Sequence, residues 1–211
     1  MADRPRRIGP RTGHDRTARK PARSCTDCSL INGWRNADDN ATHEESSMAT
    51  SDYQIRKASE KDSDAILGCL HTAFEPYRTQ YTPQGFADTV LDFETIRRRM
   101  YDMCILVAVS GGRIVGTIGC AVKGREGHLR GMAVSPEWQG TGVAAALLHA
   151  AETELQNNGC RCVTLDTTAP LKRATRFYEK HGFSATGRVS DFFGMPLCEY
   201  SKALSGSRRG G

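Results

Sequence analysis

The chain contains 211 residues, of which 38% are hydrophobic and 25% are charged, which is typical of one globular domain of about 150 residues with extensions. It has no run of 18 apolar residues, and its N-terminus lacks the apolar stretch of a secretory signal, so we expect neither a membrane-spanning nor a secreted protein. The formal net charge is only +5, which excludes the strongly basic class of nucleic-acid-binding domains.

Residues 1–47 differ in composition from the rest of the chain. Arg4 to Arg23 hold eight basic residues among prolines and glycines, with almost nothing apolar, so we predict a basic, disordered extension. Cys25 and Cys28 lack a second ligand pair at zinc spacing, and we predict no metal site. Met48 lies just before the predicted domain, so a start codon assigned too far upstream would explain the extension equally well.

Five further cysteines lie in apolar segments at irregular spacings, which does not resemble a disulfide framework. We therefore predict buried thiols, a reducing compartment and a cytoplasmic location. These cysteines are Cys69, Cys104, Cys120, Cys160 and Cys162.

Residues 48–204 alternate between strand and helix patterns, which predicts one domain, followed by a flexible tail over residues 205–211. Apolar residues at helical spacing, such as Ile66, Leu70 and Phe74, indicate amphipathic helices. Helices are predicted over residues 59–74, 86–101, 141–157 and 171–181, and strands over residues 53–56, 104–109, 113–122, 128–134, 162–166, 183–189 and 198–202. Hairpins followed by a β-α-β-α-β order predict an α/β fold of the α+β type, with a mixed, mostly antiparallel sheet and helices on both faces.

A glycine-rich loop joins the strand ending at Val134 to the next helix. Small residues there let a ligand approach the backbone, and a helix N-terminus supplies unpaired N–H groups, so the junction predicts an anion site for a phosphate or pyrophosphate. No Gly-Lys-Ser/Thr triplet follows Gly142, which excludes a P-loop. The loop also lacks the third glycine of a dinucleotide-binding fingerprint, since that position is Ala145. Dinucleotide binding nevertheless stays open as an alternative, because Asp166 could serve as the acidic partner of the ribose.

Two motifs resemble those of the GNAT superfamily of N-acetyltransferases. The first is Gln-x-x-Gly-x-Ala at residues 139–144, after a lead-in at residues 132–138, Met-Ala-Val-Ser-Pro-Glu-Trp. The second, at residues 174–183, is Ala-Thr-Arg-Phe-Tyr-Glu-Lys-His-Gly-Phe, in the expected order and at the expected distance. The resemblance implies the family's fold, with a sheet splayed at the coenzyme site, acetyl-CoA as co-substrate and no metal.

The resemblance also assigns roles to individual residues. It implies that Tyr178 points at the coenzyme sulfur, where a phenol of pKa about 10 can donate a proton to the departing thiolate. His128 lies near the position of the general base, with Glu126 or solvent as alternatives. The family often has asparagine where this chain has Leu171, so Thr167, Thr168 or backbone would replace that contact. The implied coenzyme-binding residues are Met132, Ala133 and Val134 beside the pantetheine arm, backbone amides of Gln139, Gly140, Thr141, Gly142, Val143 and Ala144 around the pyrophosphate, and Arg176, with Lys172 and Arg173, near the adenosine phosphates.

The acceptor is not identified by the sequence. The family places it between the loop after the first helix and the last strands; here these regions hold Phe74, Glu75, Tyr77, Tyr81, Asp191, Phe192 and Phe193. Carboxylates among aromatic rings suit an amine-bearing small molecule, and a peptide amine stays open. We predict an acetyl-CoA-dependent N-acetyltransferase, monomeric or homodimeric, that transfers directly in a ternary complex. The alternatives are a non-catalytic CoA-binding module and nucleic-acid binding by the basic tail. The small net charge of the chain does not favour nucleic-acid binding.

Overall fold

The computed structural model describes residues 53–204, which form a seven-stranded sheet and five α-helices. The predictions for residues 1–47 and 205–211, including the Cys25 and Cys28 pair, lie outside the described residues. The strands are β1 (Gln54–Lys57), β2 (Cys104–Ser110), β3 (Arg113–Lys123), β4 (Glu126–Val134), β5 (Cys162–Thr168), β6 (Ser184–Phe192) and β7 (Met195–Ala203). The helices are α1 (Ser63–Phe74), α2 (Pro83–Val90), α3 (Phe93–Asp102), α4 (Val143–Asn157) and α5 (Lys172–Lys180).

The strand order is β1-β2-β3-β4-β5-β7-β6, and every neighbouring pair is antiparallel except β4 and β5. That parallel pair is short, since only Glu126–Leu129 aligns with Cys162–Leu165. Beyond these residues the two strands separate, so the sheet is split at the carboxyl ends of β4 and β5. The prediction of a mixed, mostly antiparallel sheet is confirmed.

Helices cover both faces of the sheet because side chains alternate along each strand. In β2, Leu106 and Ala108 join the larger core beneath α4 and α5, whereas Ile105 and Val107 join a second core beneath α1 and α3. None of the helices in residues 53–204 is long and apolar enough to cross a bilayer. Six cysteines in this part of the chain are free thiols, three of them buried: Cys69, Cys120 and Cys160.

A β-bulge interrupts β4 at the point where the sheet splits. Thr117 of β3 aligns with Ala133, but Gly119 aligns with Arg130, so two residues of β4 face one of β3. The first of the two is Gly131, whose φ of +65° favours glycine. Bulges bend a strand and redirect its side chains, and this one lies where β4 leaves β5.

One predicted helix and two predicted strands have different bounds in the structure. The single helix over residues 86–101 is two helices, because Leu91 adopts a φ of +62° and Asp92 accepts the Thr95 N–H at 2.7 Å as an N-cap. The last two strands were predicted too short; they form a hairpin whose turn residues, Phe193 and Gly194, both have positive φ.

Candidate active site

A cavity of about 630 Å³ occupies the split between β4 and β5. The loop before α4 and the inner face of α5 close one side, while the end of α1, α2, α3 and the β6–β7 hairpin close the other. The cavity therefore connects the glycine-rich loop with the region predicted for the acceptor.

The loop before α4 presents unpaired backbone N–H groups at one end of this cavity. Gly142 caps the helix with a φ of +93°, and the first helical hydrogen bond runs from Ala146 N–H to the Gly142 carbonyl at 3.0 Å. Within residues 53–204 the N–H groups of Ala144 and Ala145, which line the cavity, have no hydrogen-bond acceptor, so these groups and the helix dipole can hold a phosphate.

Two other amides of the loop are already used inside the chain. Gln139 N–H donates to the Pro136 carbonyl at 3.2 Å, and Thr141 N–H donates to the Trp138 carbonyl at 3.4 Å. The Gln139 side chain donates from Nε2 to the Val134 carbonyl at 3.1 Å and accepts from Arg173 Nη1 at 2.8 Å. This glutamine therefore ties the end of β4 to α5 across the loop, a role that the sequence did not reveal.

Tyr178 lies in the last turn of α5, and its hydroxyl is directed at β4. The side chain is buried and packs edge-on against Phe177 and Phe183, with ring centroids 5.4 and 5.6 Å away. Its hydroxyl donates to the sulfur of Met132 at 3.2 Å. Burial raises the pKa of Tyr178 above its usual range, so the phenol keeps its proton at neutral pH.

His128 of β4 and Asp166 of β5 meet at the end of the short ladder between the two strands, where the split begins. His128 Nε2 lies 3.7 Å from Asp166 Oδ2, and His128 Nδ1 lies 3.1 Å from Thr164 Oγ1. Because the Thr164 hydroxyl also reaches the Gly127 carbonyl at 3.3 Å, it can donate there and accept from Nδ1–H, which leaves Nε2 unprotonated.

Burial has opposite effects on the two members of this pair. It lowers the pKa of His128, assisted by nearby Arg130, although the Asp166 carboxylate opposes the shift. It raises the pKa of Asp166, with His128 opposing. Both shifts disfavour the charged forms, so the imidazole is neutral at neutral pH and can accept a proton.

The walls near the split offer free hydrogen-bonding groups to a ligand. On the β5 side of the split, the backbone of β4 beyond Leu129 has no strand partner, so it can pair with amide groups of a ligand. Thr167 Oγ1 is the buried side-chain polar atom without a hydrogen-bond partner in the described part of the chain, and Thr167 lines the cavity. Leu171 lines it as well, so an apolar contact stands where the family often has an amide.

Aromatic side chains form the opposite end of the cavity. Phe74, Tyr77, Tyr81 and Phe192 line it, as predicted for the acceptor region. The Tyr81 hydroxyl shares a 2.6 Å hydrogen bond with Thr168 Oγ1, which links the loop after α1 to the end of β5.

Several predicted site residues lie elsewhere. Arg176 is exposed and does not line the cavity, whereas Arg173, three residues earlier on α5, does. The Glu126 carboxylate lies 3.5 Å from the Thr164 hydroxyl and outside the cavity lining, so of the two predicted bases it is His128 that faces the cavity. Other predicted residues outside the lining are Glu75, Asp191 and Phe193 at the acceptor end and Thr141 and Val143 in the loop.

This combination of a split mixed sheet, an anion-binding helix N-terminus and a buried tyrosine defines the acetyltransferase class. Residues 66–183 match the family model of the Acetyltransferase (GNAT) family. An uncharacterized N-acetyltransferase of Methanocaldococcus jannaschii is 34% identical over 131 residues, which cover 61% of this chain and 76% of that protein. The chain belongs to the GNAT family and is an N-acetyltransferase that uses acetyl-CoA as acetyl donor.

Two further similarities are more limited. An aminoglycoside N(6′)-acetyltransferase type 1 of Stenotrophomonas maltophilia is 39% identical over 71 residues, which cover 34% of this chain and 46% of that enzyme. The crystal structure of the PaiA N-acetyltransferase from Thermoplasma acidophilum in complex with coenzyme A superposes with a TM-score of 0.63 at 18% identity, covering 72% of this chain and 99% of that one. The comparisons support neither the dinucleotide-binding nor the nucleic-acid-binding alternative, and membership of an enzyme family argues against a non-catalytic module.

Proposed function

We propose that the enzyme transfers the acetyl group directly to the primary amine of a small molecule or peptide, with donor and acceptor bound together. The observation that carries this proposal is the single cavity that joins the glycine-rich loop, the His128–Asp166 pair, Tyr178 and the aromatic acceptor end. Because both substrates would enter the same cavity from opposite ends, no covalent acyl-enzyme is required.

The donor end would hold the coenzyme through backbone groups. Acetyl-CoA supplies the acetyl group as a thioester. The free N–H groups of Ala144 and Ala145 would bind its pyrophosphate, while Arg173 also lines the cavity. Along the arm, the unpaired edge of β4 at Met132 and Ala133 and the hydroxyl of Thr167 would satisfy amide groups.

His128 would prepare the acceptor amine for attack. An amine attacks only when it has lost its proton, and a neutral imidazole facing the cavity can take that proton directly or through water. Asp166, 3.7 Å away, would stabilise the imidazolium that results. Neighbouring Arg130 opposes this charge, so the proton is released again readily.

Tyr178 would supply a proton to the departing thiolate. Its hydroxyl lies beside Met132, on the strand edge that would flank the acetyl group, and burial keeps it protonated. A positioned acid of this kind contributes about 10²- to 10⁴-fold to rate.

The proposed amine acceptor agrees with the names of relatives. One is the aminoglycoside acetyltransferase above, and another is an N-acetylaspartate synthetase of Danio rerio that is 32% identical over 105 residues, covering 48% of this chain and 36% of that protein. Aromatic rings at the acceptor end of this cavity suit ammonium groups through cation–π contacts.

Initial-rate kinetics test direct transfer. With acetyl-CoA and an amine that supports thiol release, double-reciprocal plots at several fixed amine concentrations should intersect. Parallel lines, together with an acetylated protein detected by mass spectrometry after incubation with acetyl-CoA alone, would establish a covalent intermediate and contradict the proposal.

The pH dependence of kcat/KM, which reports ionisations of the free enzyme, should report His128. Because the pKa of His128 is lowered from the ordinary value of about 6.5, the acid side of the profile should have its midpoint below that value, and kcat/KM should rise as pH increases through it. In His128→Gln this limb should disappear, with kcat at pH 7 reduced by about 10- to 100-fold.

The matched control is His149→Gln, which changes an exposed histidine of α4 outside the cavity lining. It should keep both the rate and the profile of the parent enzyme. A His128→Gln enzyme that retains the same acid limb would show that another group or the solvent removes the proton.

A further inference from the structure

Arg99 of α3 carries a half-buried guanidinium that lines the acceptor end of the cavity. None of the ion pairs formed among residues 53–204 includes it. Its Nη1 atom lies 3.1 Å from the position that a Cβ on Gly131 would occupy, so the bulge in β4 brings the strand backbone directly against the charge.

The Asp88 carboxylate of α2, which interacts with the charge of Arg99, already forms an ion pair with Arg130 of β4. Burial, with a contribution from Arg130 and with Asp88 opposing, lowers the pKa of Arg99 to about 10, and the guanidinium is therefore still charged at neutral pH. Within residues 53–204, Arg99 forms no ion pair of its own, and the one carboxylate that offsets its charge is shared with Arg130. A partly buried charge is costly without a counter-ion, and a guanidinium offers two parallel N–H donors to a carboxylate.

The position of this charge relates it to the reacting groups. Gly131, which Arg99 contacts, directly precedes Met132, and the Met132 sulfur accepts the Tyr178 hydroxyl. The same cavity holds the carboxylate of Asp166 beside His128. The cavity wall thus carries Arg99, which forms no ion pair within residues 53–204, and the carboxylate of Asp166, and these two charges can complement the carboxylate and the ammonium group of a zwitterion.

We propose that Arg99 binds the carboxylate of the acceptor, and that the acceptors are amino acids whose amine is acetylated beside that carboxylate. This inference rests on the proposed transfer to an amine. It narrows the acceptor class, because a simple polyamine or an uncharged amine would leave Arg99 unpaired.

Matched pairs of acceptors test the proposal. The purified full chain is assayed for thiol release from acetyl-CoA with each standard L-amino acid and with the amine that lacks its α-carboxylate. For at least one pair, kcat/KM should be about 10- to 100-fold higher for the amino acid, as expected for a charge-assisted hydrogen-bonded pair. The Arg99→Gln enzyme should lose that preference, mainly through KM, while its rate with the decarboxylated amine stays within about 3-fold.

Three measurements make each result decisive. Arg98→Gln removes an exposed arginine next in sequence and outside the cavity lining, so it should behave as the parent enzyme. Arg99→Lys keeps the charge and should restore part of the preference. The thermal shift caused by CoA should be equal in all variants, which confirms that the variants fold and bind donor.

Equal or better rates with the decarboxylated amines would overturn the proposal, as would an Arg99→Gln enzyme that loses both members of a pair equally. A parent enzyme that binds CoA and acetylates amines but accepts no amino acid would overturn it as well. Parallel kinetics with an acetylated enzyme would instead contradict direct transfer without affecting the acceptor preference.

Discussion

Gly142→Glu should abolish binding of the acetyl donor. The residue caps α4 with a φ of +93°, where any side chain is strained by about 1–2 kcal/mol, and a carboxylate there would face the phosphate-binding N–H groups. A donor at 100 times its Kd stabilises a protein by about 2.7 kcal/mol, so the loss is easily measured as a missing thermal shift. Thiol release should fall by at least about 100-fold, since donor and variant carry like charges.

Two variants separate charge from backbone strain. Gly142→Ala has space, because its Cβ would have as nearest neighbour the Tyr53 hydroxyl at 3.7 Å, and it should retain part of the shift. Gly159→Glu places the same side chain at a φ of +82° in open space beyond the other end of α4 and should leave donor binding unchanged. A normal acetyl-CoA shift in folded Gly142→Glu would show that the loop is not the phosphate site.

Tyr178→Phe should reduce kcat by about 100-fold while the KM for acetyl-CoA changes little. The substitution removes one oxygen atom and preserves the ring contacts with Phe177 and Phe183. Among residues 53–204 its hydroxyl bonds to a thioether sulfur alone, which is a weak acceptor, so the melting temperature should hardly change. A loss of kcat without a change in the KM for acetyl-CoA or in the melting temperature would identify the Tyr178 hydroxyl as a group that acts on the reacting atoms.

The same substitution at Tyr101 gives the control, since that side chain is 91% exposed on α3. It should have no effect on either constant. If Tyr178→Phe keeps kcat within about 3-fold of the parent enzyme, then water or another group protonates the thiolate.

Most of the fold could be predicted because its signals are local. Apolar periodicity located α1, and Ser110-Gly111-Gly112 located the β2–β3 hairpin at the correct residues. The break between α2 and α3 depends on Asp92, which caps α3 by accepting the Thr95 N–H. The sequence does not reveal this break, because the helical pattern continues through residue 92. The β6–β7 turn contains Phe193 at a positive φ, a conformation that no sequence rule assigns to phenylalanine.

The residues of the candidate site likewise differ in how far the sequence predicts them. The glycine-rich loop and Tyr178 are recognisable because each lies in a continuous motif. The His128–Asp166 pair requires the register that sets His128 opposite Thr164 across two parallel strands, and sequence alone does not fix a parallel register. Arg99 comes from a helix whose start was predicted wrongly, so its approach to Gly131 could not be foreseen.

The short β4–β5 ladder also fixes the point from which the two parts of the sheet separate. At its closed end, Gly127 has no side chain, and Leu155 of α4 takes the space: a Cβ there would lie 2.5 Å from Leu155 Cδ1. This contact lies at the paired end of the ladder, and the two parts of the sheet, β1–β4 and β5–β7, diverge from it. Because the two parts of the sheet diverge from this contact, we expect its packing to influence the width of the cavity and, through that width, the affinity for the donor.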